Sequence, residues 1–193
     1  MTKGRLEAFS DGVIAILITI MVLDFKIPHG DSWEALRPVL PVFLNYVLSY
    51  VFLGIYWNNH HHMLHAAGRV NGQMLWANLH LLFWLSLVPF VTGWMSESHA
   101  ASLPTAAYGF VLCCSGIAYT VLQGAIIRGQ GPDSTLKAAV GDDRKGKLSA
   151  MGYVAAVPLA FVRPWLSLAI YVGVACLWLV PDRRIEAKLK EEH

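Results

Sequence analysis

The sequence predicts an all-α membrane protein forming a single domain, residues 1–193, with six transmembrane helices. Three observations point there. Apolar residues fill 55% of the 193 positions and charged ones 15%, where a soluble domain carries ~25% charged residues. The mean hydropathy is +0.47. The apolar residues also gather into six blocks, at about 5–25, 39–62, 74–95, 105–127, 148–162 and 165–180, parted by polar, glycine- or proline-bearing connections. A formal charge of +2 and the lack of any basic-aromatic pattern argue against a nucleic-acid partner. Cys113, Cys114 and Cys176 sit in apolar blocks and read as small hydrophobes, not as a disulfide or metal framework. The N-terminus does not read as a cleavable signal, because acidic residues interrupt its apolar run and no small-residue cleavage site follows.

The first block, RLEAFSDGVIAILITIMVLDFKIP from Arg5 to Pro28, holds an uncharged run only from Gly12 to Leu23. A lipid-exposed span needs ~20 apolar residues, so this one is predicted to be shielded from lipid by its neighbours. At 100° per residue, Ile16, Ile20 and Leu23 make one apolar stripe, while Asp11, Ala15, Ile18 and Val22 fall opposite. Thr19 lies between, about 60° from the stripe's centre. Asp11 therefore points away from the stripe and needs a partner within protein, since an unpaired carboxylate in a membrane costs at least ~2.5–3.5 kcal/mol.

The loop HGDSWEALR and Pro38 precede the second block, whose inner end reads Trp57-Asn58-Asn59-His60-His61-His62, then His65. A turn at Gly68–Gln73 leads to the third, which carries Trp76, Asn78, His80 and Trp84. Pro104 opens the fourth, and Gly129-Gln130-Gly131-Pro132 begins a hydrophilic linker ending near Lys147. The fifth and sixth blocks flank Arg163-Pro164 and sit at the short limit for spanning, as a tight helical hairpin or a re-entrant pair. The charged tail from Asp182 reads as a solvated helix end. With six spans, Lys3, Arg5, Arg69, Arg128, Lys137, Arg144, Lys145, Lys147, Arg183, Arg184, Lys188 and Lys190 share one side, against Lys26, Arg37 and Arg163 on the other. That bias places both termini in the cytoplasm.

His61 and His65 are spaced i, i+4, as two imidazoles on one zinc would be, but no H-E-x-x-H or nearby acidic companion completes a site. Polar fastening at the inner end of a bundle is the better reading. His60 or His61, Trp57 and Asn78 can each face the first helix and satisfy Asp11, with Arg5 as countercharge. Such a network would hold that helix at one rotation. Presented inward from several copies, Ile16, Ile20 and Leu23 would then stack as apolar rings, a known form of constriction and gate. No T-V-G-Y-G filter loop is present, and Lys26 and Arg37 offset the outer acidic residues Asp24, Asp31 and Glu34.

Arg5-x-x-x-Phe9-Ser10-Asp11 matches the R-x-x-x-F-S-D signature of the endosomal/lysosomal potassium channel family, also called the transmembrane protein 175 family. The continuation GVIAILITIMVLDFKIP, Trp57 with His60-His61, and Asn78 also resemble its bacterial members, and the six-span layout extends the resemblance over nearly the whole chain. Animal members carry two such repeats and this chain one, so the resemblance implies a homotetramer whose four first helices line one axial pore. It also implies that Ile16 forms the narrowest ring, with Ile20 and Leu23 further out and Thr19 supporting selectivity. Arg5, Phe9, Ser10 and Asp11 would join Trp57, His60, His61 and Asn78 in the supporting network. His62 and His65 have no place in that pattern.

The expected function is a passive potassium-permeable channel in the inner membrane. It is not expected to be an enzyme and needs no cofactor, potassium being the permeant ion and membrane lipid its surroundings. A proton-coupled secondary transporter using Asp11 and the histidines is the alternative. A membrane-embedded metal enzyme using the histidine cluster stands third.

Overall fold

The first helix, α1 (Lys3–Ile20), tightens into a 3-10 turn at Met21–Asp24 before the chain becomes extended at Phe25. Pro28 then blocks further helix. The computed structural model describes residues 2–68, 70–131, 134–141 and 143–179, and contains no strand among them. Arg69 and the charged tail counted above, with the end of the sixth block at Val180, lie outside the described residues.

One helical turn, α2 (Trp33–Leu36), leads through Pro38 into α3 (Val39–Ala66). Pro41 falls in the first turn of α3, where a missing N–H breaks no helical hydrogen bond. The third block forms two helices. α4 (Gly72–Ser86) is capped by Asn71, whose side chain accepts from the Met74 N–H, and α5 (Val88–Glu97) follows across Leu87. Pro89 explains the break: it cannot donate to the Leu85 carbonyl, and its ring crowds that group. The Leu87 N–H bonds to the Trp84 carbonyl instead.

α6 (Ser102–Gln130) ends at Gly131, where φ is +82°, a conformation natural for glycine. The hydrophilic linker contains a short helix, α7 (Thr135–Val140), capped by Ser134 and fastened by the buried Leu136. Asp143 caps α8 (Arg144–Leu159), and Arg163-Pro164 turns the chain into α9 (Pro164–Leu179). The Ser167 hydroxyl donates to the Ala156 carbonyl at 2.7 Å, closing an α8–α9 hairpin.

Among the described residues, four helical segments are long and apolar enough to cross a membrane: Lys3–Asp24, Val39–Ala66, Gly72–Glu97 and Ser102–Gln130. α3, with 28 residues, rises ~42 Å at 1.5 Å per residue. α8 and α9, 16 residues each, rise only ~24 Å against a hydrocarbon core of ~30 Å.

α6 is the centre of the bundle, packing against α4, α5, α8 and α9, while α1 lies to one side against α3, α4 and α5. α6 and α9 meet closely at Gly109, where a Cβ would overlap the hydroxyl of fully buried Tyr171. That hydroxyl donates to the Thr105 carbonyl one turn away. Gly109→Ala is expected to lower stability by about 2 kcal/mol through overpacking. Gly173→Ala, where an added methyl meets nothing within 4 Å, should be neutral or stabilising by up to ~1 kcal/mol. Thermal unfolding of the purified variants checks both.

Candidate functional site

α1 is apolar nearly all round, so what it buries is decided by its neighbours. The buried positions Leu6, Ser10, Ile14, Leu17 and Met21 recur every three or four residues and form one face. The opposite face carries Gly12, Ala15 and Thr19, all exposed, flanked by Ile16 (61% exposed), Ile20 (46%) and Leu23 (77%). Ile16 is thus not spent on packing within its own chain.

The one polar residue on the buried face is Ser10. Its hydroxyl donates to the Leu6 carbonyl at 2.9 Å and accepts from Asn78 Nδ2 of α4 at 2.9 Å. Asn78 Oδ1 in turn accepts from His60 Nε2 of α3 at 2.7 Å. Because the amide gives its donor to Ser10, only its oxygen faces the imidazole, which fixes the proton on Nε2. All three side chains are buried. Of the two imidazoles the sequence left open, His60 is the one in contact.

A second strand of contacts runs beside the first. Trp57 Nε1 donates to Asp11 Oδ1 at 3.0 Å, and the His61 ring stacks on Trp57 at 6.3 Å. Lys3 Nζ donates to the His65 carbonyl at 2.6 Å, at the end of α3. α1 is therefore gripped over its first three turns by α3 and α4.

Three sequence-predicted members stand differently. Arg5 does not pair with Asp11; among the described residues the ion pair is Lys26–Glu97 at 3.0 Å, on the surface. Six positions separate Arg5 from Asp11, which turns them ~120° apart on the helix. Phe9 is exposed, beside the clasp and outside it. His61 touches Trp57, His62 and His65 by ring contacts alone. Among the described residues no three His, Cys, Asp or Glu side chains are grouped to hold a metal ion. Thr19 Oγ1 donates back to the Ala15 and Ile16 carbonyls at 3.0 and 3.1 Å.

Sequence reasoning missed Lys3 as a contact of α3 and a second buried network around the N-terminal half of α3. There Ser49 Oγ of α3 lies 2.7 Å from Thr92 Oγ1 and 3.0 Å from Tyr108 Oη, and Asn45 Nδ2 donates to Ser96 Oγ at 3.1 Å. The signal was present as Asn45 and Ser49, spaced i, i+4 on an otherwise apolar helix. Just past the C-terminal end of α1, Asp24 leans on α5: a Cβ at Gly93 would sit 3.0 Å from its Oδ2.

The family model described as endosomal/lysosomal potassium channel TMEM175 matches residues 5–89, which hold the clasp from Ser10 to Asn78. A protein of Chryseobacterium sp. (strain P1-3), named a potassium channel, is 54% identical over 191 residues, 99% of this chain and 100% of that one. The chain belongs to the TMEM175 family. A Streptomyces collinus protein, also named a potassium channel, is 34% identical over 91% of this chain and 90% of its own length. In fold, the chain is similar to the crystal structure of a lysosomal potassium-selective channel TMEM175 homolog from Chamaesiphon minutus. The TM-score is 0.78, with 24% identity, covering 93% of this chain and 97% of that one. With its four long apolar helices, this TMEM175-family chain is a membrane protein.

Removing the Asn78 amide leaves two buried groups, Ser10 Oγ and His60 Nε2, short of a partner. Asn78→Ala is expected to cost about 2–3 kcal/mol of stability. Thr19→Val, whose hydroxyl serves only its own helix backbone, should stay within about 0.5 kcal/mol. Thermal unfolding of both variants in one detergent separates the clasp from the exposed face.

Proposed function

We propose that this chain is one subunit of a potassium-permeable channel in which α1 of four copies surrounds a single axial pore. The observation that carries the reading is the rotation of α1. Its polar side is engaged within the subunit, and Ile16, Ile20 and Leu23 are left uncovered. Lipid alone would accept those side chains. However, Gly12 and Ala15 share the exposed face, and small residues are what close helix–helix approach in a membrane uses. The relatives named as potassium channels support the same reading.

In this arrangement Ile16 forms the narrow ring, Ile20 and Leu23 form rings further out, and Thr19 stands just behind. Ser10, Asp11, Trp57, His60 and Asn78 hold the helix in register. Potassium is the permeant ion and no cofactor takes part. α8 and α9 complete a six-span subunit in the inner membrane with both termini cytoplasmic. An isoleucine ring has no oxygen with which to replace an ion's water. The ion passes hydrated or sheds water at a cost, and potassium sheds it more readily than sodium. Selectivity is then modest beside that of a carbonyl cage.

Liposomes containing only this protein test the proposal. Potassium should follow its own gradient without a proton gradient, and a cross-linked sample should run as a tetramer. Saturable flux driven by a pH gradient would instead support the transporter reading built on Asp11 and the histidines. Ile16→Asn, which puts amides into the ring, is expected to raise sodium permeability relative to potassium several-fold. An unchanged ion preference would remove Ile16 from the constriction.

A further inference from the structure

On the side of α3 away from α1 lies a cavity of about 140 Å³ between α3, α6, α8 and α9, with Val140 and Asp143 at its edge. Its walls are mostly apolar, with Phe52, Ile55, Cys113, Ile117 and Trp178 among them. Apolar cavities of about 150 Å³ accept a benzene-sized molecule.

Three tyrosines, Tyr56, Tyr119 and Tyr153, also line it. The first two hydroxyls reach backbone carbonyls at long range, Tyr56 to Leu112 at 3.5 Å and Tyr119 to Asn59 at 3.4 Å. Tyr153 is only 4% exposed and stacks on Tyr171, yet its hydroxyl finds no hydrogen-bond partner among the described residues. Nor is that hydroxyl sealed: the fully enclosed side-chain polar atom lacking a partner is Thr105 Oγ1, elsewhere in the bundle. A buried hydroxyl left open beside a cavity calls for a partner from within it.

Two occupant chemistries fit less well. The cavity has room for ~4 waters, each needing two to four polar partners, but the polar groups on its wall are largely engaged: Asn59, Thr120 and Ser149 donate to the Ile55, Gly116 and Lys145 carbonyls, and Ser149 also accepts from Trp178. For an ion, the carboxylate on the wall, Asp143, already caps α8 by accepting the Gly146 N–H at 3.1 Å. We propose that the cavity is a binding site for a small neutral amphiphile with a phenyl-sized body and one hydroxyl, which pairs with Tyr153. It does not depend on the channel reading, since no residue of α1 contributes to the cavity.

The test is titration of the purified full-length protein with 4-fluorophenol, followed by fluorine NMR. Binding should saturate with a dissociation constant on the order of 1 mM, as suits eight non-hydrogen atoms. Tyr153→Phe should weaken it about five-fold, through loss of one hydrogen bond. Gly116→Leu should abolish it by filling the space. A Cβ there meets only Tyr56 Oη, at 3.8 Å, so the first atom of the new side chain is accommodated. If that variant does not fold, Tyr153→Phe carries the test alone. A signal rising linearly with phenol, as micelle partition gives, would overturn the proposal. So would equal saturation in wild type and Tyr153→Phe.

Discussion

The amide of Asn78 sets the rotation of α1, and much else in the subunit follows from it. An asparagine buried in α4 with its oxygen on His60 and its nitrogen on Ser10 satisfies both partners at only one setting of the helix it faces. Advancing α1 by one residue turns it ~100° and carries Ser10 out of reach. Each group left unpaired costs about 1–3 kcal/mol. Between membrane helices the hydrophobic effect supplies little to oppose that, because lipid tails are as apolar as leucine. The packing of Leu6, Ile14, Leu17 and Met21 is close to interchangeable with that of the other aliphatic residues on α1. The polar contacts are not, so they choose the face that is buried and the face that is left open.

α3 is the shared support. Its C-terminal half grips α1 through Trp57 directly and through His60 by way of Asn78, and its N-terminal half is tied to α5 and α6 through Ser49, Thr92 and Tyr108. The break at Leu87 lets one sequence block serve both ends. α4 carries Asn78 beside the N-terminal half of α1, and beyond the break α5 carries Thr92 and Ser96 beside the N-terminal half of α3. The exposed pair Lys26–Glu97 adds at most ~1 kcal/mol. Buried neutral hydrogen bonds, not ion pairs, hold the layers in place.

How much of this was legible depended on whether a signal was chemically distinctive. Trp57, His60, Asn78, Ser10 and Asp11 are polar or amphipathic groups on apolar helices, and such residues have few permissible partners. Their convergence could be anticipated, although spacing could not choose between His60 and His61. The buried stripe Leu6–Ile14–Leu17–Met21 was hidden because α1 is apolar on every side, so periodicity picks out no single face. Arg5 misled because a nearby opposite charge looks like a partner until the ~120° between the two positions is counted. Pro89 did announce the α4–α5 break, but a proline inside a hydropathic block is easily absorbed into one long span. Leu136 alone makes α7 more than a linker, and one apolar residue in a polar stretch is too weak a pattern to announce a helix.

The position of the clasp bears on how the proposed pore would open. The grip runs from Lys3 to Asp11, while Ile16 lies five residues further along, ~7.5 Å up the helix axis. Rotating α1 as a whole would break the Asn78 contacts. Tilting its C-terminal half about the gripped end would break none of them. What resists such a tilt is the apolar packing of Ile14, Leu17 and Met21 and the contact of Asp24 with α5. The helix ends there in a 3-10 turn at Met21–Asp24, a common form of helix terminus. Thr19 sits below this transition with its proton committed to the Ala15 and Ile16 carbonyls, which leaves its oxygen lone pairs to face water or a hydrated cation. An N-terminal end clasped by hydrogen bonds and a C-terminal end held mainly by apolar packing would widen or pinch the aliphatic rings without remaking any buried hydrogen bond, so bending is the lower-cost motion for this fold.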